Sequence, residues 1–180
     1  MQDHALTWDL AGIPVVIVAG TLLHFCFDWS GRRRAFAVLC PINESVWEHL
    51  KMAYWPLLFL TATQSAVGAG SSSLPGARAV GFYAMCVVML GLYFLTTALL
   101  SITDMRVRLI VDGSIFIVAV VVGQLASYAV TSTTDTPESA WRGLVALLVP
   151  VFVFMLTTFA PPRLELFRDQ ITGGYGISRA

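Results

Sequence analysis

Residues Leu109–Val130, LIVDGSIFIVAVVVGQLASYAV, form an apolar run that contains one charged side chain, Asp112. A helix needs about 20 apolar residues to cross the roughly 30 Å of hydrocarbon in a bilayer, so this run is long enough to span a membrane. The whole chain has the matching composition, because 57% of its 180 residues are hydrophobic and only 12% are charged. Soluble domains carry about 25% charged residues.

Four further runs share this apolar character. They predict membrane spans at Leu10–Phe27, Met52–Ala69, Ala79–Leu100 and Gly143–Ala160. The connections are rich in residues typical of turns and loops. The predicted fold class is therefore all-α: an integral membrane bundle of five transmembrane helices at residues 1–160, followed by a cytoplasmic tail at residues 161–180.

The basic residues are divided unequally between the two sides of this topology. Nine of the eleven lie in the first and third connections and in the tail, whereas only Arg78 and Arg142 belong to the second and fourth connections. Basic loops stay in the cytoplasm, so the N-terminus is predicted outside and the C-terminus inside. The expected partner is the lipid bilayer, and the formal net charge of zero argues against nucleic acid.

The stretch Asn43–Lys51, NESVWEHLK, places two carboxylates, an imidazole and an amine at the start of the second predicted span. Each charge costs about 2.5–3.5 kcal/mol at the centre of a membrane helix, so such a cluster needs an explanation. His24 and Asp28 lie one turn apart at the same predicted end. Together these residues predict a polar site that faces the cytoplasm.

The side chains at this end are of the types that bind transition metals. The candidate metal ligands are His24, Asp28, Glu44, Glu48 and His49. The candidate catalytic residues, as bases or proton shuttles, are Glu48, His49 and Asp28. Further candidate site residues are Asn43, Lys51, Asp112 and Arg108. The hypothetical cofactor is a divalent transition metal, and haem held by the two histidines is a narrower alternative.

Ordinary helix chemistry explains the same cluster without any ligand. Asn43 or Ser45 can cap the second helix, and Ser45 with Glu48 matches a capping box. Glu48 and Lys51 are spaced for an ion pair within one helix. Arg108 and Asp112 are spaced in the same way, so Asp112 has a local partner as an alternative to an ion-coupling role.

Three other features complete the pattern. Cys26, Cys40 and Cys86 form no CxxC pair, so they are interpreted as small apolar packing residues. Ala35–Ile42 is apolar but too short to cross a membrane, and is expected to lie in the interface or to fold back as a lid. The tail segment Pro161–Ile177 could cover the same face.

Two motifs resemble the signatures of a known family. The first consists of Phe27–Gly31, FDWSG, and Pro41–Lys51, PINESVWEHLK. The second begins at Pro161–Asp169, PPRLELFRD, and continues with Thr172-Gly173 and Tyr175-Gly176-Ile177. They are similar to small prokaryotic multi-pass membrane proteins classified as a domain of unknown function. The resemblance covers nearly the whole chain and implies a prokaryotic plasma (inner) membrane, but no activity, substrate or cofactor.

Three classes of function remain open. The first is a metal-dependent enzyme that acts on a lipid-like substrate at the cytoplasmic leaflet. The second is a small transporter or transporter subunit that uses Asp112 for ion coupling. The third is a non-enzymatic accessory or assembly subunit of a membrane complex. The sequence leaves enzymatic activity undecided, and a homo-oligomer or a membrane-complex partner is equally open.

Overall fold

The computed structural model describes residues 2–100, 102–131 and 137–177. Within them lie five α-helices: α1 Gln2–Trp29, α2 Val46–Ala66, α3 Leu74–Leu99, α4 Met105–Thr131 and α5 Pro137–Phe159. Short 3-10 helices occupy Arg34–Phe36, between α1 and α2, and Glu165–Phe167, in the tail. The predicted all-α class and the five helices are confirmed.

Four of these helices are long and apolar enough to cross a membrane, which indicates an integral membrane protein. The candidate spans are Leu6–Trp29, Leu74–Leu99, Arg106–Thr131 and Ala140–Phe159. α2 is not among them, because Glu48, Lys51 and Gln64 make its sequence more polar. Thirteen of its 21 residues are buried. The run predicted as the second span, Met52–Ala69, is therefore largely an interior helix, and that helix ends at Ala66.

Helices that follow one another along the chain run in opposite directions, so α3 and α5, which also pack together, run in the same direction. α2 packs against α1 and α3, α4 packs against α1 and α3, and α5 packs against α3. We call the end where α1, α3 and α5 finish and where α2 and α4 begin the tail end, because the tail folds back onto it. The opposite end is called the Arg78 end. Between the two ends, Tyr54 packs against Phe82 and Phe154, and its hydroxyl donates a hydrogen bond to the Leu147 carbonyl at 2.7 Å.

A fully buried arginine connects four helices at the Arg78 end. Its guanidinium forms an ion pair with Asp9 of α1. It donates hydrogen bonds to Gln64 of α2 at 2.8 Å and to Gln124 of α4 at 2.7 Å. Ser127 of α4 accepts a longer hydrogen bond at 3.4 Å. Arg78 was assigned to the second connection from the sequence, but α3 begins at Leu74 and already includes it.

Glycines allow two of these helices to approach backbone to backbone. A Cβ added to Gly81 of α3 would lie 2.7 Å from the carbonyl oxygen of Gly123 on α4. Small residues at such crossings are typical of membrane helices, where van der Waals packing drives association. The close crossing keeps α4, and with it Gln124, beside Arg78.

Replacing Asp9 with asparagine should strongly destabilise the fold, because Arg78 would stay buried without a counter-ion. Breaking a buried pair in this way costs about 3–5 kcal/mol. The free energy of unfolding in mild detergent measures the effect. Asp28→Asn is the matched control: it is the same substitution on the same helix, but the Asp28 side chain is 74% exposed. Equal stabilities of the two variants would contradict the prediction.

The connection between α1 and α2 folds back against the bundle. The side chains of Ala37, Cys40 and Ile42 are buried. The Trp55 indole of α2 donates a hydrogen bond to the Val38 carbonyl at 3.1 Å. Ala35–Ile42 therefore packs against the helices, and its expected position in the interface or as a lid stays a prediction.

A disulfide joins this connection to α1. It links Cys26 to Cys40, whose Cα atoms are 5.6 Å apart across a sequence separation of 14. The interpretation of all three cysteines as simple packing residues was wrong for this pair, because only the folded-back connection brings the two thiols together. Cys86 is a free, half-buried thiol.

Candidate metal centre at the tail end

The start of α2 is set by a side-chain cap. Ser45 is the N-cap residue, and its hydroxyl accepts a hydrogen bond from the Glu48 amide at 3.3 Å. The Asn43 side chain accepts a hydrogen bond from the Ser45 amide at 3.0 Å. Of the two caps considered from the sequence, Ser45 is the one observed. Glu44 therefore precedes the helix, and its position is not governed by the helical period.

Three side chains from three segments converge beside this cap. His24 comes from α1, Glu44 from the connection and His49 from the first turn of α2. Nε2 of His24 lies 3.5 Å from Oε1 of Glu44, and Nε2 of His49 lies 3.5 Å from Oε2 of the same carboxylate. We call these residues the His-Glu-His group. Their ligand atoms all lie within 4.8 Å of one another, so the group could hold a metal ion.

The spacing is close to that of a metal centre. Two ligands at 2.0–2.1 Å from a tetrahedral ion are about 3.3 Å apart, which is near the 3.5 Å between the carboxylate and each imidazole. The two imidazole centroids are 5.4 Å apart, with Glu44 in contact with both rings. This arrangement leaves no room for a porphyrin between the histidines.

The hydrogen bonding of His49 defines the state of its second nitrogen. Nδ1 lies 2.8 Å from the Ser45 carbonyl oxygen, and a carbonyl can only accept, so Nδ1 carries the proton. In a neutral ring, Nε2 then presents a lone pair to the Glu44 carboxylate. Two acceptors face each other favourably only with a proton or a metal ion between them. Metal-binding histidines commonly donate their other N–H to a carbonyl in this way.

Glu44 is anchored by the tail as well as by the histidines. Its amide donates a hydrogen bond to Asp169 at 3.3 Å, and the neighbouring Asn43 donates one to the Gly176 carbonyl at 3.1 Å. When Nε2 of His49 carries a proton, its hydrogen bond to the carboxylate lowers the pKa of Glu44 below its ordinary value, although burial acts in the opposite direction. The carboxylate is therefore charged at neutral pH.

A small cavity lies against two members of the group. Its volume is about 30 Å³, enough for one or two water molecules, since roughly 10–15 Å³ of such space holds one. The lining residues are Glu44, Val46, His49, Met89, Tyr93, Asp112, Ile115 and Phe116. Four of these side chains carry polar atoms, those of Glu44, His49, Tyr93 and Asp112, and the other four are apolar.

Asp112 has both a local partner and an unused oxygen. Its Oδ2 accepts a hydrogen bond from Arg108 Nε at 3.0 Å, which confirms the ion pair expected one turn apart. The Arg108 guanidinium also lies over the Tyr93 ring, 5.0 Å from its centroid. Oδ1 of Asp112 is buried and has no hydrogen-bond partner among the described residues. The pair weakens the argument for Asp112 as an ion-coupling group.

Asp28 and Glu48 lie outside the His-Glu-His group. Asp28 is exposed and pairs with Arg32 at 3.8 Å. Glu48 is buried, and its Oε2 accepts hydrogen bonds from Lys51 at 2.6 Å and from the Ile42 amide at 3.0 Å. Of the five candidate ligands, the structure brings together His24, Glu44 and His49.

The Lys51 ammonium completes a buried polar cluster next to the group. It donates hydrogen bonds to Glu48, to the Ala37 carbonyl at 2.9 Å and to the Thr158 hydroxyl at 2.7 Å. These contacts bind the α1–α2 connection and the end of α5 to the first turns of α2. The expected ion pair within α2 is therefore confirmed, and its contacts give it a structural role.

Lys51→Met should destabilise the protein by about 3–5 kcal/mol, because Glu48 would remain buried without its counter-ion. The double variant Glu48→Leu/Lys51→Met removes both charges, so it should recover much of that loss. Unfolding free energies of both variants in detergent provide the measurement. If the double variant is less stable than Lys51→Met, the unpaired Glu48 charge is not the cause of the loss in Lys51→Met.

Sequence reasoning missed two contributors to this end. Asp169 accepts the hydrogen bond from the Glu44 amide. It belongs to the C-terminal motif, but the motif did not indicate this contact. Thr158, which accepts a hydrogen bond from Lys51, is one polar residue near the end of an apolar run. No pattern in the sequence distinguished it from a residue that faces lipid.

Comparison with known proteins relates the chain to one family. No curated protein and no solved structure matches it. A family model described as a family of unknown function, DUF6512, matches residues 1–177. This match confirms the expected relation to a family of unknown function. It covers nearly the whole chain, and the chain therefore belongs to the family DUF6512.

Proposed function

We propose that this multi-pass membrane protein binds a divalent transition metal ion through His24, Glu44 and His49. The observation that carries the proposal is the orientation of His49, whose Nδ1 proton is committed to the Ser45 carbonyl. Its Nε2 lone pair and the Glu44 carboxylate then face the same point, and a cation between them satisfies both. Two imidazoles and one carboxylate suit zinc and its neighbours in the first transition series.

The proposed centre has the ligand count of a catalytic site. Three protein ligands leave a fourth position for water or substrate, and the cavity beside His49 and Asp112 provides space for water. A divalent ion supplies acidified water and polarises carbonyl or phosphoryl oxygens. Because the site lies at the end of membrane spans, hydrolysis of a lipid-like substrate is the enzymatic form of this proposal. Asp28 and Glu48 have no part in it.

The metal content of the purified protein tests the proposal. We expect about one equivalent of zinc, or of a neighbouring metal, after purification in mild detergent, because the three ligand atoms already converge. Glu44→Gln should lose the ion, since it removes the only charged ligand. Asp28→Asn should keep it, as a matched control at the same end. Elemental mass spectrometry on all three proteins, with thermal unfolding to verify folding, gives the result.

Wild-type protein that is metal-free and takes up no added Zn²⁺, Co²⁺ or Mn²⁺ would overturn the proposal. A shared proton would then explain the contact between His49 and Glu44. An accessory or assembly role would become the leading function. Metal retained by Glu44→Gln would instead show that the ion binds elsewhere.

We also propose that the tail end faces the cytoplasm at a prokaryotic plasma membrane. Lys51 and Arg78 are buried in ion pairs, so neither counts among the basic loop residues that determine membrane orientation. Of the nine other basic residues, eight belong by sequence to the tail end, including Arg179, which lies outside the described residues. Only Arg142 belongs to the Arg78 end, and this imbalance supports the orientation. The Cys26–Cys40 disulfide favours the opposite side, because the cytoplasm keeps thiols reduced.

Reporter fusions distinguish the two orientations. Green fluorescent protein fused after residue 180 should fluoresce, and alkaline phosphatase fused there should be inactive, because the first folds in the cytoplasm and the second needs an oxidising compartment. In this orientation Cys26 and Cys40 should be reduced inside the cell. Extracts that are denatured without added reductant should then show both cysteines as free thiols. Active phosphatase together with an intact disulfide would place the tail end outside.

A further inference from the structure

An apolar groove runs along the outside of the bundle between α1 and α2. Its volume is about 580 Å³. Val15, Leu22 and Trp29 line it from α1, and Pro56 and Phe59 line it from α2. Trp29 is 69% exposed and Phe59 is 62% exposed. In a membrane this surface faces lipid.

The groove follows one side of a close contact between the two helices. A Cβ added to Gly20 of α1 would lie 2.5 Å from the Met52 carbonyl oxygen of α2. Pro56 has no N–H to donate to that carbonyl one turn earlier, so the carbonyl is free to face α1. This contact holds the two helices together beside the groove, and the large side chains on its open side form the walls.

The groove is long enough to take the hydrocarbon of one leaflet of a bilayer. Val15 and Trp29 are 14 positions apart, which is ~21 Å along a helix that rises ~1.5 Å per residue. Half of the hydrocarbon core is about 15 Å thick. An acyl chain from a single leaflet can therefore lie along the groove.

Three arginines follow directly after the end of the groove. α1 ends at Trp29, and the chain turns at Gly31 and Arg32, both of which have positive φ. Arg32, Arg33 and Arg34 are exposed, and Arg32 also pairs with Asp28 at 3.8 Å. Guanidinium groups match the geometry of phosphate, and basic clusters at a membrane surface attract anionic headgroups.

We propose that the groove binds one anionic phospholipid, with an acyl chain between α1 and α2 and the phosphate at Arg32–Arg34. The apolar walls account for the chain, and the adjacent positive charge accounts for the headgroup. A partner helix fits less well, because most of the lining side chains are large and Ala19 is the one alanine or glycine among them, whereas such packing uses a stripe of small residues. The site does not depend on the proposed metal centre.

Fluorescence quenching tests this site through Trp29, which lies in the groove. Purified protein in detergent is titrated with phosphatidylglycerol or phosphatidylcholine that carries bromine on its acyl chains. The difference between wild type and Trp29→Phe isolates the Trp29 signal from the other four tryptophans. We expect the anionic lipid to quench Trp29 at much lower concentration than the zwitterionic lipid. Inorganic phosphate should not compete, since it has no acyl chain.

Two variants test the contribution of the lipid headgroup and that of the acyl chain separately. Arg33→Gln/Arg34→Gln should weaken quenching by the anionic lipid roughly 30-fold, from about 1 kcal/mol for each basic residue near the surface. Ala19 also lines the groove, so Ala19→Phe should block it and abolish quenching, while the thermal unfolding midpoint verifies folding. Leu148→Phe, a substitution on the exposed surface of α5, is the control and should change nothing.

Equal quenching by both lipids, unaffected by the arginine substitutions, would show only ordinary boundary lipid and would overturn the proposal. Dimers that persist in lipid-free detergent and are dissociated by Ala19→Phe would show that a second copy of the chain fills the groove. That result would overturn it as well. Specific quenching by the anionic lipid that the arginine substitutions weaken and Ala19→Phe abolishes would support the site.

Discussion

The Glu48–Lys51 ion pair holds the tail end together. Both side chains are buried, and a buried charge is tolerated only when it is paired and hydrogen-bonded. The partners that satisfy Lys51 come from the α1–α2 connection and from α5, and the Ile42 amide satisfies Glu48. These contacts fix the connection just before Glu44, so the His-Glu-His group depends on a neighbouring pair that contains none of its members.

At the Arg78 end, too, a buried charge is paired and hydrogen-bonded. Arg78 joins four helices through side chains that would each be costly to bury alone. Between these two polar ends the core is apolar and aromatic. α2 contributes to both ends through Lys51 and Gln64, which is why it carries polar residues and lies inside the bundle, while the more apolar helices form the candidate spans.

Local relations were predictable because one helix determines them. Residues three or four apart on a helix are neighbours in any fold, and the Arg108–Asp112 pair is of this kind. The cap at Ser45 also needs no tertiary contact. The residue types of the candidate site could also be read from the sequence, but which of them meet could not. Glu44 precedes α2, so the helical period does not place its carboxylate, which contacts His24 and His49.

The sequence by itself determined the all-α class, the long apolar helices, the uneven distribution of basic residues and the polar character of the tail end, because these depend on length, hydropathy and local spacing. Only the tertiary structure decided that α2 is interior, that Cys26 meets Cys40, that Asp9 pairs with Arg78 and that two histidines share Glu44. Each of these contacts joins segments far apart in sequence. Their partners depend on how the helices are rotated and how the connections fold back, and neither is encoded by the pattern of any one segment.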